Sequence, residues 1–328
     1  NNYFDLTGAN GDVNKLFSQY SYIYFLQTKG FGRLYINQPA TLNSPETGNI
    51  IVGSSGILTG ALYISQDIGC QHQFSVIGGH NQTYWVDVNL GKIYRFSQNG
   101  LSPISEKGQH NRIYQACKYF KGKDNPAGFS GITGVYDYKN NEVLFSFHAP
   151  SLQREDVPFL VYNFTLVYGE NTETFTTRFS EVPHFYFPLQ GKYFSSFVDS
   201  PQDFYVHLLG NRGEYYGTYR DSTVDIVVNP TQDAQKIYDI TQVNINAEGV
   251  AILSQVEIST DNQTFSLSLP TDTRARYRYG FLSFPARGLT QTDRTRGKWM
   301  KQKYTIVNTG DLCRITMVEN KFRIAFPI

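Results

Sequence analysis

The chain is 328 residues long and holds 24 Tyr, 24 Phe and 2 Trp against only 17% charged residues, with a net charge of +1. That balance argues for strands and broad contact surfaces, against a helical Lys/Glu-rich protein, and the small net charge argues against a dedicated nucleic-acid-binding module. Length alone admits one large all-β domain or two ordinary ones, and either buries a real core.

Residues 1–45 mix aromatics with Gly and Asn and end in Gln38-Pro39-Ala40 and Ser44-Pro45-Glu46. Helical periodicity is hard to find along the chain, the exception being a short stretch near Val13 to Leu16. Residues 50–80 read as short apolar strands punctuated by glycines. The segment 85–96 (Trp-Val-Asp-Val-Asn-Leu-Gly-Lys-Ile-Tyr-Arg-Phe) is an aromatic strand, an Asp entering a Gly/Asn turn, and a second apolar strand. That is the pattern of a β-hairpin. Fifty positions later, 135–147 (Val-Tyr-Asp-Tyr-Lys-Asn-Asn-Glu-Val-Leu-Phe-Ser-Phe) repeats it, with Asp87 matching Asp137 and the turn glycine Gly91 matching Asn141. A period of 40–50 residues is the spacing of propeller blades. Residues 121–131 form a loop between the repeats, 151–157 an exposed excursion, and strands return at 159–168. No stretch reads as a linker or low-complexity tract. The expectation is an all-β, β-propeller-like fold built from repeated antiparallel hairpins, one domain over 1–328, with 1–44 open as part of an upstream region.

Cys70, Cys117 and Cys313 are odd in number and scattered, which predicts no disulfide framework and a reducing compartment. The sequons at Asn81, Asn163 and Asn262 are discounted in so Asn/Thr-rich a chain. The sequence reads as one without a signal peptide, and no apolar run in it is long enough to cross a bilayer. Because the chain starts at Asn1 and contains two methionines, we read it as the C-terminal part of a longer polypeptide.

Charge is uneven. Between 274 and 303 lie Arg274, Arg276, Arg278, Arg287, Arg294, Arg296, Lys298, Lys301 and Lys303 against one acid, Asp293, so the segment carries +8 and the rest of the chain −7. Arg274/Arg276/Arg278 and Arg294/Arg296/Lys298 run in steps of two, which predicts two basic strand faces, with Tyr277, Tyr279, Phe281 and Phe284 on or near their other sides. A solvated sheet face offset by acids from other strands, a subunit interface and a surface near nucleic acid all fit this spacing.

Catalytic signals are missing. Asp87 and Asp137 could be a carboxylate pair acting across a sugar, but their equivalent places in a repeat favour hydrogen bonds to their own turns. The histidines His72, His80, His110, His148, His184 and His207 lack metal-ligand spacing. Gly-x-Ser-x-Gly does not occur, and Gly30-Phe31-Gly32 does not continue as a phosphate loop. The chain reads as a non-enzyme with no cofactor and no metal.

The run Tyr84-Trp85-Val86-Asp87 … Gly91-Lys92-Ile93-Tyr94-Arg95-Phe96-Ser97-Gln98-Asn99-Gly100-Leu101-Ser102-Pro103 resembles the tail stabilisation, or muzzle, proteins of crAss-like bacteriophages. These are distant relatives of the tail hub or nozzle proteins of short-tailed phages. The same family pattern continues in Phe175–Ser180 with Val182-Pro183-His184-Phe185, in Tyr215-Tyr216-Gly217 … Asp221–Pro230 with Lys236–Asp239, and in Phe284–Arg287 … Arg296–Lys301. The likeness covers 45–328, and residues 1–44 match no part of it. It implies a structural virion protein of the phage tail with a propeller-like core. Such a protein would form a homo-oligomeric ring around the channel for genome and ejected proteins, contact other tail proteins, and assemble in the host cytoplasm. The family brings no catalytic residues. The rival reading is a carbohydrate-binding or glycan-cleaving propeller, with Tyr84, Trp85, Tyr215, Tyr216 and Trp299 stacking on sugars.

Overall fold

The computed structural model describes residues 4–36, 40–44, 48–52, 58–125, 128, 130–149, 162–197, 200–211, 213–247, 253–269, 274–287, 294–307 and 313–325. The chain divides into two compact units, Asn1–Leu208 and Leu209–Ile328. The fold is all-β, every sheet being antiparallel.

The first unit is a series of small meanders. β1 (Val13–Gln19), β2 (Tyr22–Gln27) and β3 (Phe31–Ile36) run consecutively, β4 (Ala40–Ser44) and β5 (Gly48–Val52) pair with each other, and β6 (Leu58–Ser65) returns to β3. The second sheet contains β7 (Ile77–Gly78), β8 (Thr83–Asp87), β9 (Lys92–Ser97) and β10 (Gly100–Pro103). After the helix α1 (His110–Phe120) comes a third sheet of β11 (Gly131–Asp137), β12 (Glu142–His148), β13 (Phe164–Gly169) and β14 (Thr174–Phe179). β15 (Pro183–Leu189), β16 (Lys192–Phe197) and β17 (Ser200–Val206) form the fourth.

Strand periodicity explains how these sheets stack, because alternate side chains leave opposite faces. All of β8 is buried. Trp85 points into a cluster with Tyr24, Leu26 and Phe31 of the first sheet, whereas Tyr84 and Val86 join Tyr136, Val143 and Phe145 of the third. On β12, Val143, Phe145 and Phe147 face the second sheet, and Leu144 packs with Val135, Val167 and Tyr193 toward the fourth. Each middle sheet thus buries both faces. The central strands β8, β12 and β13 are accordingly buried along nearly their whole length rather than alternating, each fully buried large side chain contributing about 1.5–3 kcal/mol.

Two expectations about helices change. Val13 and Leu16 lie on β1, both exposed, with the strand held by its ladder to β2. The helix is instead α1, whose Ile113, Ala116, Cys117 and Phe120 are fully buried at helical spacing.

The second unit begins with a short hairpin of β18 (Glu214–Tyr215) and β19 (Thr218–Tyr219). Its remaining strands are β20 (Ser222–Val228), β21 (Lys236–Ala247), β22 (Leu253–Thr260), β23 (Thr264–Ser268), β24 (Arg276–Arg278), β25 (Phe281–Pro285), β26 (Thr295–Gly297), β27 (Met300–Ile306) and β28 (Cys313–Ile324). They make a four-stranded sheet in the order β20-β27-β22-β23, and a second sheet in which β21 carries β28 along one edge and β25 and β26 along the other. One core lies between them, including Val243, Ile245 and Phe284 from one sheet and Val256, Ile258, Met300 and Tyr304 from the other. Inside it Gln302 Nε2 donates to Thr241 Oγ1 (2.7 Å) and Asn320 Oδ1 (2.9 Å), and Tyr304 donates to Gln302 Oε1 (2.9 Å). These bonds satisfy polar groups whose burial would otherwise be costly.

Candidate interaction surface

The basic segment 274–303 lies wholly in the second unit but is shared between its two sheets. Arg276 and Arg278 sit on the short edge strand β24, which among the described residues pairs only with β25. All three β24 residues are exposed, and so is Tyr279, at 84%. Tyr277 alternates with Arg276 and Arg278 along this strand and is itself exposed. Phe284, by contrast, is buried in the core. Tyr279 and Gly280 are the two loop residues of the β24–β25 hairpin, both with positive φ (54° and 80°). This is a type I′ geometry that projects the tip. The Arg278 guanidinium lies 4.9 Å from the centre of the Tyr279 ring. Arg274 donates to the Arg287 carbonyl (3.2 Å).

Arg296 is on β26 opposite Ile237, and Arg294, Arg296 and Lys298 are exposed in alternation with buried Thr295 and Gly297. Asp293 falls outside the described residues. Lys301 and Lys303 belong to β27, the other sheet, where acids meet them: Lys301 lies 2.7 Å from Asp225, and Lys303 stands between Asp225 and Glu257 in the cross-strand register. The segment therefore divides into a neutralised part (Lys301, Lys303) and an exposed part (Arg276, Arg278, Arg294, Arg296, Lys298). Beneath it Lys236, fully buried, donates to Asn229 Oδ1 (3.0 Å), the Ala234 carbonyl (3.0 Å) and the Lys298 carbonyl, fixing the β26–β27 turn. Its position before Ile237-Tyr238 in an apolar strand is the signal that sequence reading passed over.

The paired turns of the first unit have equivalent geometry. Asp87 opposes Lys92 and Asp137 opposes Glu142, each across a four-residue loop that ends in a left-handed residue, Gly91 (φ 67°) or Asn141 (φ 55°). Asp87 accepts from the Leu90 amide (3.1 Å), from the Gly69 amide (2.8 Å) and from Gln71 Nε2 (3.2 Å). Burial raises its carboxyl above the ordinary range, and these donors oppose that rise. Asp137 accepts from the amides of Lys139 (2.9 Å) and Asn140 (3.3 Å) and from Asn140 Nδ2 (2.7 Å). A third such loop, Glu170 to Glu173 between Gly169 and Thr174, also ends left-handed at Glu173 (φ 51°).

Of the aromatics suggested for sugar stacking, Tyr84 and Trp85 are fully buried in the core and closed to any ligand. Cys70 and Cys117 are buried free thiols, burial pushing Cys70 up to about 12, and Cys313 is free as well. Among the described residues no group of three or more His, Cys, Asp or Glu could hold a metal ion. None of their helices is long and apolar enough to cross a membrane.

Comparison with known proteins places this architecture. A sequence profile described as Crassvirus muzzle protein matches residues 1–197. The match includes residues 1–44, which reading by motif had left unassigned. The muzzle protein of Bacteroides phage crAss001 is 20% identical over 307 residues, covering 90% of this chain but only 21% of the relative. The chain thus spans about a fifth of the length of that curated relative. Because the profile extends over more than half of the chain and takes in the stacked meanders from β1 to β16, the chain belongs to the Crassvirus muzzle protein family.

Proposed function

We propose that this chain is a segment of a non-enzymatic structural virion protein of a phage tail. Membership of the muzzle family carries this reading. In it, the sheets of the first unit act as blades of a propeller-like wall. The wall belongs to a homo-oligomeric ring around the channel for genome and ejected proteins. Supporting the blade assignment, three of these sheets are four-stranded meanders and the middle two bury both faces. Two-sided burial at close-packed density makes a stiff wall. The exposed basic residues of the second unit would meet an acidic neighbouring subunit or face the channel, Tyr279 and Arg278 supplying in the first case the aromatic and guanidinium groups that anchor interfaces. Assembly in the host cytoplasm suits the free, buried thiols.

Immunogold electron microscopy of virions with an antibody raised against this chain tests the reading. Gold confined to the tail vertex is expected. Label on the capsid or on fibres, or no label on disrupted particles, would refute it.

A further inference from the structure

The second unit has an open side. Among the described residues β20 pairs only with β27 and β28 pairs only with β21, so residues 223–228 of β20 and the outer side of β28 each present an edge with no strand paired to it. Between these two edges runs an open groove of about 550 Å³. Val224 and Ile226 of β20, Ile306 of β27, and Cys313, Ile315 and Met317 of β28 give it an apolar lining. Val224 is 39% exposed and Met317 45%.

Free apolar edges are templates for pairing, and proteins usually blunt them with charge. The far half of β28 is blunted in this way, by Glu319, Lys321 and Arg323, the last paired with Asp239 at 3.1 Å. The near half, Cys313 to Val318, is not. Its one charged residue is Arg314, which lines the groove and has no ion pair among the described residues. The nearest acid on β20, Asp225, is committed to Lys301. The groove mouth therefore combines two hydrogen-bonding edges, an apolar floor and one unmatched positive charge.

We infer that this groove receives an extended strand from another protein, apolar at alternate positions and acidic opposite Arg314. The strand adds to the β28 edge and closes the open side of the two-sheet unit. Main-chain bonds along the edge supply affinity, while the floor and Arg314 select the sequence. This site is separate from the basic hairpin of the proposed function.

The test is titration of the chain with a synthetic ten-residue peptide alternating Val and Thr around a central Glu, and with its Lys counterpart. Binding is read by fluorescence anisotropy and by hydrogen exchange. The Glu peptide should slow exchange in residues 313–318 and 222–228 and bind at least about tenfold more tightly than the Lys peptide. Arg314→Glu should reverse that preference. Val224→Asp with Met317→Asp, both at exposed positions, should abolish binding at an unchanged melting temperature. Unaltered exchange at β28 under saturating peptide would overturn the inference, as would a preference that ignores Arg314→Glu. Concentration-dependent protection of β28 without peptide, lost in the Val224→Asp variant, would assign the groove to a second copy and overturn it as well.

Discussion

The Tyr84 phenol donates to Glu170 Oε1 across 2.6 Å, joining the second sheet of the first unit to the β13–β14 loop of the third. Tyr136, on β11, donates to the other carboxylate oxygen at 2.7 Å. One carboxylate in a hairpin loop therefore ties two stacked sheets at their rim, where side-chain packing ends. Hydrogen bonds to a charged acceptor are the strong ones, and losing this one leaves Tyr84 only the Gln82 Oε1 acceptor at 3.0 Å and Tyr136 only Asn141 Oδ1 at 3.5 Å.

Glu170→Ala should lower the stability of the first unit by about 2 kcal/mol and Tyr84→Phe by somewhat less, the double mutant losing clearly less than the sum. In a Trp299→Phe background, fluorescence reports Trp85 alone, so urea unfolding isolates this unit. Strict additivity would show that the two groups do not act through one another.

The equivalent turns make a paired prediction. Gly91 has φ 67°, and a Cβ there would meet the Tyr114 ring at 2.7 Å, so Gly91→Ala should cost more than about 1 kcal/mol. Asn141 holds the same left-handed place with a side chain already present, and Asn141→Gly should be neutral or slightly stabilising. Equal losses at both sites, read by thermal unfolding, would contradict the equivalence.

These turns also mark how far the sequence was legible. Asp87 and Asp137 could be matched because each begins a loop whose polar residues interrupt apolar runs. The third loop carries the same signal, since Glu-Asn-Thr-Glu divides Phe164–Tyr168 from Phe175–Phe179, but it has no leading Asp and escaped notice. The helix α1 was missed although Ile113, Ala116, Cys117 and Phe120 stand at helical spacing, because His110, Asn111 and Tyr114 dilute the pattern. Other features were not readable. The division at Leu208–Leu209 has no Pro-, Ser- or charge-rich linker. The neutralisation of Lys301 and Lys303 depends on Asp225 and Glu257 on other strands far away in sequence, so steps of two along one strand could not reveal it.

Two lysines of the second unit should respond very unequally to loss of charge. Lys236→Met leaves the oxygens of Asn229, Ala234 and Lys298 without their shared donor in a buried site, at about 2–4 kcal/mol. Lys301→Met removes a half-exposed surface pair and should cost less than about 1 kcal/mol. Hydrogen exchange across β20–β28 measures both. A comparable loss at the two sites would mean that the buried ammonium does not organise the turn.

Alkaline pH should unfold the protein through its buried phenols. Burial pushes Tyr94, Tyr186 and Tyr238 up to about 12, and raises Tyr84, Tyr136 and Tyr304 further. A pKa raised in the folded state means that stability is fully present below the unfolded value of 10.0 and is lost as pH rises through the folded one. The urea midpoint should therefore show no tyrosine-linked change between pH 7 and 9.5, and fall between pH 10 and 12. Tyrosinate absorbance from these groups should appear together with unfolding. Their ionisation in the intact fold would contradict the burial.

Charge reversal separates assembly from folding. Arg294, Arg296 and Lys298 are exposed, and only the backbone of Lys298 is engaged, through its carbonyl to Lys236 and its amide to Asp261 Oδ1 (3.1 Å). Replacing all three by Glu should therefore leave the melting transition of the isolated chain nearly unchanged, because exposed substitutions away from special contacts shift stability by about 0.5 kcal/mol or less. If these side chains face an acidic neighbour, the same variant should fail to enter particles, since like charges opposed across an interface cost several kcal/mol. Arg276→Glu with Arg278→Glu tests the β24 edge separately, and Tyr279→Ala its hairpin tip. Incorporation scored by immunoblot of purified virions reads all three variants. Loss confined to the Arg294 group would place the contact at β26, and loss confined to the hairpin variants would place it at β24. Wild-type incorporation of every variant would leave the basic segment as a solvated sheet face.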